Sequence, residues 1–200
     1  MSKDWIASPR SAKSISALAV SWRDCFGFFH DYVPNMAGIL ENEIPKIRDD
    51  YEFLVVEDKN LVDDSGRQVR ASTSFNPPRI SFSASEYRRL VNEQPSGRFT
   101  AAHELGHLLL HGSDKNLHRS AAALSQISNK SFSAEWQANE FAAAFLVPEH
   151  VAHQFSDPQE LAANTRVSLR TAQIRLAALG LWPKSKPTPD LSFLDGYRSR

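Results

Sequence analysis

The chain has 200 residues, of which 42% are hydrophobic, and its 23 basic residues balance 23 acidic ones. This length and apolar content can form one domain with a buried core. The zero net charge excludes a global electrostatic field that would draw the protein to nucleic acid or to an anionic membrane. No run approaches the roughly eighteen apolar residues of a membrane-spanning helix, and residues 15–20 are too short a stretch for a secretory signal. We therefore expect a cytoplasmic protein without membrane contact.

Residues 1–50 are predicted to form an N-terminal helical segment. Ile15, Leu18 and Trp22 recur at helical spacing and would share one apolar face. Cys25 is the single cysteine, so it has no partner for an internal disulfide. No activating neighbour is evident, and we expect this thiol to be a small buried side chain.

Residues 51–150 are predicted to form the core unit, which begins with short strands. Residues 51–57 and 79–83 have the composition of strands, and residues 69–75 form a weaker third. Turns are expected at residues 63–66 and 76–78. Ser83 and Glu86 predict a capped short helix that ends near residues 95–97. Helices, then strands, then helices indicate an α+β fold.

The most informative motif is the pattern His-Glu-x-x-His at residues 103–107. On an α-helix, residues four apart project from nearly one face, so His103 and His107 can bind one ion with Glu104 beside it. Apolar residues flank the motif on both sides, which predicts a buried helix that is capped near Gly112. A buried interior accepts such polar side chains only when they are hydrogen-bonded or bind a metal. The pattern is typical of zinc hydrolases.

A zinc site of this type needs a third protein ligand. A second helix is predicted over residues 133–148, with a serine at its start and a proline at its end. Glu135 and Asn139 share a face of this helix, so Glu135 can coordinate the metal while Asn139 makes a supporting hydrogen bond. Glu140 is the rival ligand. It lies about 140 degrees round the helix from Glu135, so only one of the two can point at the site.

His111 follows the motif and raises the alternative of a three-histidine site of another zinc-protease class. That class needs a glycine where this chain has Leu110 and a histidine where it has Ser113. We therefore expect His111 to line the edge of the site or to cap the helix end as a cation. It is also a candidate for stabilising an oxyanion, together with Tyr87 and His118.

Residues 151–182 are predicted to form a C-terminal helical unit, followed by an extended tail over residues 183–200. Asp157 and Ser168 would begin two helices whose arrangement resembles a helix-turn-helix. Three arginines of this unit could face phosphates, namely Arg166, Arg170 and Arg175. Three arginines make a thin basic patch in a chain of balanced charge, so DNA contact is not expected.

The two central motifs resemble those of the ImmA/IrrE family of metallopeptidases. The resemblance is carried by residues 98–111, which end in His-Glu-Leu-Gly-His-Leu-Leu-Leu-His, and by the later run Glu-Trp-Gln-Ala-Asn-Glu-Phe-Ala-Ala. It extends from about residue 79 to residue 182. It implies that His103, His107 and Glu135 are the metal ligands and that Glu104 is the catalytic base.

The resemblance also implies a gluzincin-like fold. A small twisted sheet would pack on the active-site helix that bears the His-Glu-x-x-His motif, and a second helix would carry Glu135. Asn139 departs from the pattern, because related gluzincins often have an aspartate there. A neutral amide orients a histidine less strongly than a carboxylate does, so we expect weaker metal binding or lower activity.

The function predicted from these residues is that of a zinc metallopeptidase. Zinc lowers the pKa of water toward about 7, and Glu104 would take the proton and deliver it to the leaving amine. Mn²⁺ or Fe²⁺ can occupy the same ligands. An extended peptide could add as a strand to a sheet edge beside the site.

The resemblance implies a regulatory protein as substrate, such as an XRE-type helix-turn-helix repressor or an antitoxin. The alternative is a non-catalytic metal-binding partner, either regulatory or part of a toxin–antitoxin pair. The sequence determines no oligomeric state.

Overall fold

The computed structural model describes residues 5–114 and 129–182. The predicted tail at 183–200 and His118 lie outside the described residues. The fold is a mixed α+β arrangement, rich in helices, with one small sheet of three strands. This confirms the prediction of an α+β fold. No helix of the described part is both long enough and apolar enough to cross a membrane.

Helix α1 spans Ala12–Cys25 and packs along a later helix of the core. The side chain of Ser11 caps its start by accepting from the backbone N–H of Ser14. Ile15, Ala19 and Arg23 form the buried face. The prediction of a buried Cys25 is wrong, since this residue is exposed. It lies two positions beyond Arg23, about 200 degrees round the helix and away from the core.

The chain then makes a continuous run of short helical segments. These are α2 at Met36–Gly38, a π-helical turn at Ile39–Glu43, and α3 at Ile44–Ile47. Ile39, Leu40 and Ile44 are completely buried or nearly so. They join the same hydrophobic core as α1.

The sheet contains β1 at Glu52–Val56, β2 at Ala71–Phe75 and β3 at Pro78–Ser83. Its order is β1-β3-β2, with β1 parallel and β2 antiparallel to the central strand β3. Most of β3 is buried, as expected for a strand with neighbours on both sides. Strand β2 is therefore one edge of this sheet.

Helices α4 and α5 follow the sheet at Ala84–Val91 and Pro95–His111. The predicted end of the short helix near residues 95–97 is wrong, because Pro95 begins the next helix. Proline lacks the N–H that would have no partner in the first turn, so it suits that position. Ser83 caps α4 as expected, through the N–H of Glu86. The buried carboxylate of Glu86 accepts instead from Thr100 and Arg89, and so joins α4 to α5.

Helix α6 spans Ala134–Leu146 and packs closely on α5. The two helices approach each other closely at Gly106 of α5. A Cβ atom there would lie 3.1 Å from the ring of Phe141 and 3.2 Å from the carbonyl oxygen of Ala138. The absence of a side chain at Gly106 thus allows the two helices to come together.

An extended N-terminal segment, residues 5–10, crosses the start of α6. Ile6 forms an antiparallel bridge with Ser133, and the N–H of Ala134 donates to the carbonyl oxygen of Trp5. The segment is thus fixed to the element that carries Glu135.

Three more helices complete the described chain: α7 at Glu149–Ala152, α8 at Pro158–Thr165 and α9 at Leu169–Ala178. Arg175 of α9 is buried, and its Nε donates to the carbonyl oxygen of Val147 at 2.8 Å. Arg166 forms an ion pair with Glu93. The suggestion that Arg175 faces phosphates is therefore wrong, because its guanidinium group is buried inside the fold.

Candidate metal centre

The structure brings the three predicted ligands together. His103 and His107 project from α5, and their Nε2 atoms lie 3.0 Å apart. Glu135 lies in the first turn of α6, with its Oε2 atom 3.5 Å from Nε2 of His103 and its Oε1 atom 3.5 Å from Nε2 of His107. One donor atom from each residue lies within 4.8 Å of the others. Two imidazoles and a carboxylate are a ligand set that suits a divalent transition metal.

Glu140 lies outside this cluster. Burial lowers the pKa of Arg175, and the nearby carboxylates of Glu140 and Glu149 partly oppose that effect. The charge of Glu140 therefore lies near the guanidinium group of Arg175, on another side of α6 from Glu135. Their angular separation on one helix explains why only Glu135 reaches the histidines.

Glu104 is 5% exposed and contacts the edge strand of the sheet. The hydroxyl oxygen of Thr73 lies 2.7 Å from Glu104 Oε2 and 3.1 Å from the backbone carbonyl oxygen of Glu104. A hydroxyl hydrogen bond to one carboxylate oxygen limits rotation of the group. Strand β2 thus helps to position the predicted catalytic base.

Asn139 contacts His103, with Oδ1 of the amide 2.8 Å from Nδ1 of the ring. An amide oxygen can only accept, so Nδ1 of His103 donates in this orientation. The hydrogen on Nδ1 leaves the lone pair of Nε2 directed toward His107 and Glu135. A partner of this kind, which holds a ring by its other nitrogen, is usual for a histidine that binds metal.

His107 has a different partner, which the sequence did not indicate. Its Nδ1 lies 3.2 Å from Nδ1 of His111, and Nε2 of His111 lies 3.1 Å from Oε1 of Gln137. His111 is only 2% exposed, and burial lowers its pKa, an effect that the hydrogen bond to Gln137 partly opposes. The prediction that His111 caps the helix end as a cation is therefore wrong.

A cleft opens beside these residues. On one side it is lined by β2, which contributes Ala71 to Phe75, and on the other by Trp5, Ala134 and Glu135. The rings of Trp5 and Phe75 meet edge to face across it, with 6.4 Å between their centroids. The cleft therefore runs along the sheet edge that Thr73 occupies.

Tyr87, a candidate for stabilising an oxyanion, does not line this cleft. Its hydroxyl donates to Glu41, and its ring packs on Phe53 of β1, the strand at the opposite edge of the sheet. His111 is occupied by its two hydrogen bonds. Three further residues of the site were missed from the sequence, namely Trp5, Thr73 and Gln137. Each lies on a different element, and the helical face of Gln137 is not that of Glu135.

Comparison with known proteins identifies the domain. A family model described as Peptidase_M78, IrrE N-terminal-like domain, matches residues 90–177, a range that includes the histidines, Glu104 and Glu135. A Mycobacterium tuberculosis transcriptional regulator has a similar fold, with a TM-score of 0.50 and 18% sequence identity. The alignment covers 82% of this chain and 46% of that structure, so this chain spans less than half of its length. No curated protein sequence matches the chain. Residues 90–177 therefore match an IrrE N-terminal-like domain of the Peptidase_M78 family, which confirms the resemblance to the ImmA/IrrE metallopeptidases.

Proposed function

We propose that this protein is a zinc-dependent endopeptidase in which His103, His107 and Glu135 hold the metal and Glu104 is the general base. The observation that supports this most directly is the convergence of the three ligands, with Nε2 atoms 3.0 Å apart and a carboxylate 3.5 Å from each. If both rings carry their hydrogen on Nδ1, the two Nε2 lone pairs face one another, and a cation between them would remove their repulsion. The residues therefore fit a divalent ion.

Zinc is the metal we propose, because two histidines and a glutamate leave a fourth coordination position open. When bound, the ion would lower the pKa of a water molecule and polarise the scissile carbonyl group. Mn²⁺ and Fe²⁺ suit the same donor atoms and are alternatives.

Glu104 would move the proton. Oε2 of its carboxylate accepts from the Thr73 hydroxyl at 2.7 Å, and we propose that the carboxylate held in this way takes the proton from water. The same carboxylate would then deliver that proton to the nitrogen of the leaving amine. The low exposure of Glu104 keeps bulk solvent from competing for this position.

We propose that the substrate binds along β2 as an added strand. β2 pairs with β3 on one side, and the cleft lies along it beside Glu104. An extended peptide can hydrogen-bond to such an edge whatever its sequence. The scissile bond would then lie near the histidines, while Trp5 and Ala134 bound the cleft on the far side.

The proposed substrate is a regulatory protein, such as an XRE-type repressor or an antitoxin. This rests on the family resemblance, and the structural neighbour that is a transcriptional regulator agrees with a regulatory setting. We further propose that residues 51–150 form the peptidase core and that residues 1–50 and 151–182 are helical additions to it.

The test compares the zinc-loaded wild-type protein with Glu104→Gln, each incubated with the product of the neighbouring gene. Mass spectrometry should find one defined fragment with the wild type and a rate at least about a hundredfold lower with Glu104→Gln. Metal analysis should find equal zinc in both proteins. Glu140→Gln is the matched control and should cleave normally. Equal cleavage by Glu104→Gln would contradict the role of Glu104. A stable complex without a fragment would favour the alternative, in which this protein binds its partner without cleaving it.

A further inference from the structure

His107 is connected to the N-terminal segment through two buried side chains. Its Nδ1 contacts Nδ1 of His111, and Nε2 of His111 contacts Oε1 of Gln137. The amide nitrogen of Gln137 lies 2.9 Å from the carbonyl oxygen of Ser8 and 2.7 Å from that of Ser131. Gln137 is fully buried and His111 nearly so. The path thus leads from the proposed metal ligand to the N-terminal segment.

The hydrogen positions along this path follow from the backbone. Nε2 of Gln137 lies beside two carbonyl oxygens, which only accept, so both of its hydrogens are donated there. Oε1 of Gln137 must then be the acceptor, and Nε2 of His111 must carry a hydrogen. A neutral imidazole carries one hydrogen, so Nδ1 of His111 accepts. His107 therefore donates from Nδ1, and its Nε2 has a lone pair.

We propose that Gln137 and His111 are positioning residues that fix the tautomer of His107 and so keep Nε2 ready to bind the metal. This inference rests on the proposed function, because it assumes that His107 is a ligand. The opposite tautomer would place a hydrogen on Nε2, directed at Nε2 of His103, and would block coordination. Asn139 orients His103 through one direct hydrogen bond. His107 is oriented through two, because Gln137 acts on it by way of His111.

The N-terminal segment takes part in this arrangement. Ser8 supplies one of the two carbonyl oxygens that orient Gln137, and its N–H and hydroxyl both contact the carboxylate of Asp114 at 2.7 and 2.8 Å. Asp114 lies just after the end of α5. The segment is therefore held by α5 and in turn holds the amide on α6.

The first test measures zinc affinity by competition with a chromophoric chelator. Loss of an indirect partner of a metal ligand typically lowers affinity about 10- to 100-fold, and we expect this for His111→Phe. His111→Gln provides a side-chain oxygen that can accept from His107, so it should recover part of the loss. His153→Phe is the matched control, since that histidine is exposed just after the end of α7 and should leave affinity unchanged. A folded His111→Phe with wild-type affinity would overturn the proposal.

The second test needs no variant, so it holds even if His111→Phe does not fold. Long-range ¹H–¹⁵N spectra of the zinc-loaded wild-type protein report the hydrogen on each ring nitrogen. We expect His111 to carry its hydrogen on Nε2, and His107 to carry its hydrogen on Nδ1. A hydrogen on Nδ1 of His111 would overturn the positioning role alone. A wild-type protein that binds no zinc would instead remove the proposed function and this inference with it.

Discussion

Two helix pairs of this protein bury polar side chains, and they use them differently. In the pair α5 and α6, the buried side chain of His111 contacts both His107 and Gln137. Glu104, also buried, lines the same cleft as the two histidines. In the pair α8 and α9, Arg175 donates to the carbonyl oxygen of Val147, and the buried hydroxyl of Thr165 donates to that of Leu161. Burial of a polar residue is therefore no evidence of function by itself. The first pair differs in that two buried imidazole rings, those of His107 and His111, contact each other.

The largest expected effect comes from removing a ligand in the first pair. Glu135→Gln replaces an anionic oxygen donor by a weaker neutral one, and we expect zinc affinity to fall by at least about a hundredfold. Glu140→Gln on the same helix should bind zinc like the wild type. Calorimetric titration of both variants provides the comparison. Equal losses for the two would mean that charge on α6, and not coordination, determines binding.

A substitution in the second pair should change stability alone. Arg175→Met removes the donor to Val147 and leaves that carbonyl oxygen buried, which costs about 1–3 kcal/mol of unfolding free energy. Zinc affinity should not change, since Arg175 makes no contact with the ligand residues. Urea unfolding measures the first quantity and chelator competition the second. A change in zinc affinity would show that the two helix pairs are coupled.

A substitution where α5 packs on α6 should change both the stability and the zinc affinity of the protein. Gly106→Ala adds a Cβ atom about 3.1 Å from Phe141, tighter than an ordinary contact, so α6 must shift by a few tenths of an ångström. We expect a loss of about 1–2 kcal/mol in stability together with weaker zinc binding, because Glu135 moves with α6. A stable Gly106→Ala with normal zinc binding would mean that the helices accommodate the methyl group.

The smallest expected effect concerns the orientation of the proposed base. Thr73→Val keeps the shape of the side chain and removes the hydroxyl that contacts Glu104. Cleavage should slow by about tenfold, which corresponds to about 1.4 kcal/mol, while zinc binding stays normal. Ser74→Ala, next to it on β2, is the control. An unchanged rate would show that the position of Glu104 depends on α5 alone.

The sequence by itself determined the local parts of this protein. The spacing of His103 and His107 places both rings on one face of any α-helix, since the geometry of a helix is fixed. Serines before α4, α6 and α9 cap these helices as predicted. The three strands and the start of α6 also agree with the composition of those segments. The family resemblance added the choice of Glu135 over Glu140, which spacing alone had left open.

The tertiary structure decided everything that joins distant segments. Thr73, Gln137 and Trp5 come from a strand, a helix and an extended segment, and no local spacing relates them to His107. The exposure of Cys25 and the burial of His111 depend on which helix faces meet the core, and that follows from packing across the whole chain. Arg175 is a further example. The arginines near it in the sequence suggest a basic surface, but the fold buries Arg175 against the residue that follows α6. The geometry of a helix or a turn depends on nearby residues, whereas contacts between distant segments form only when the whole core is packed.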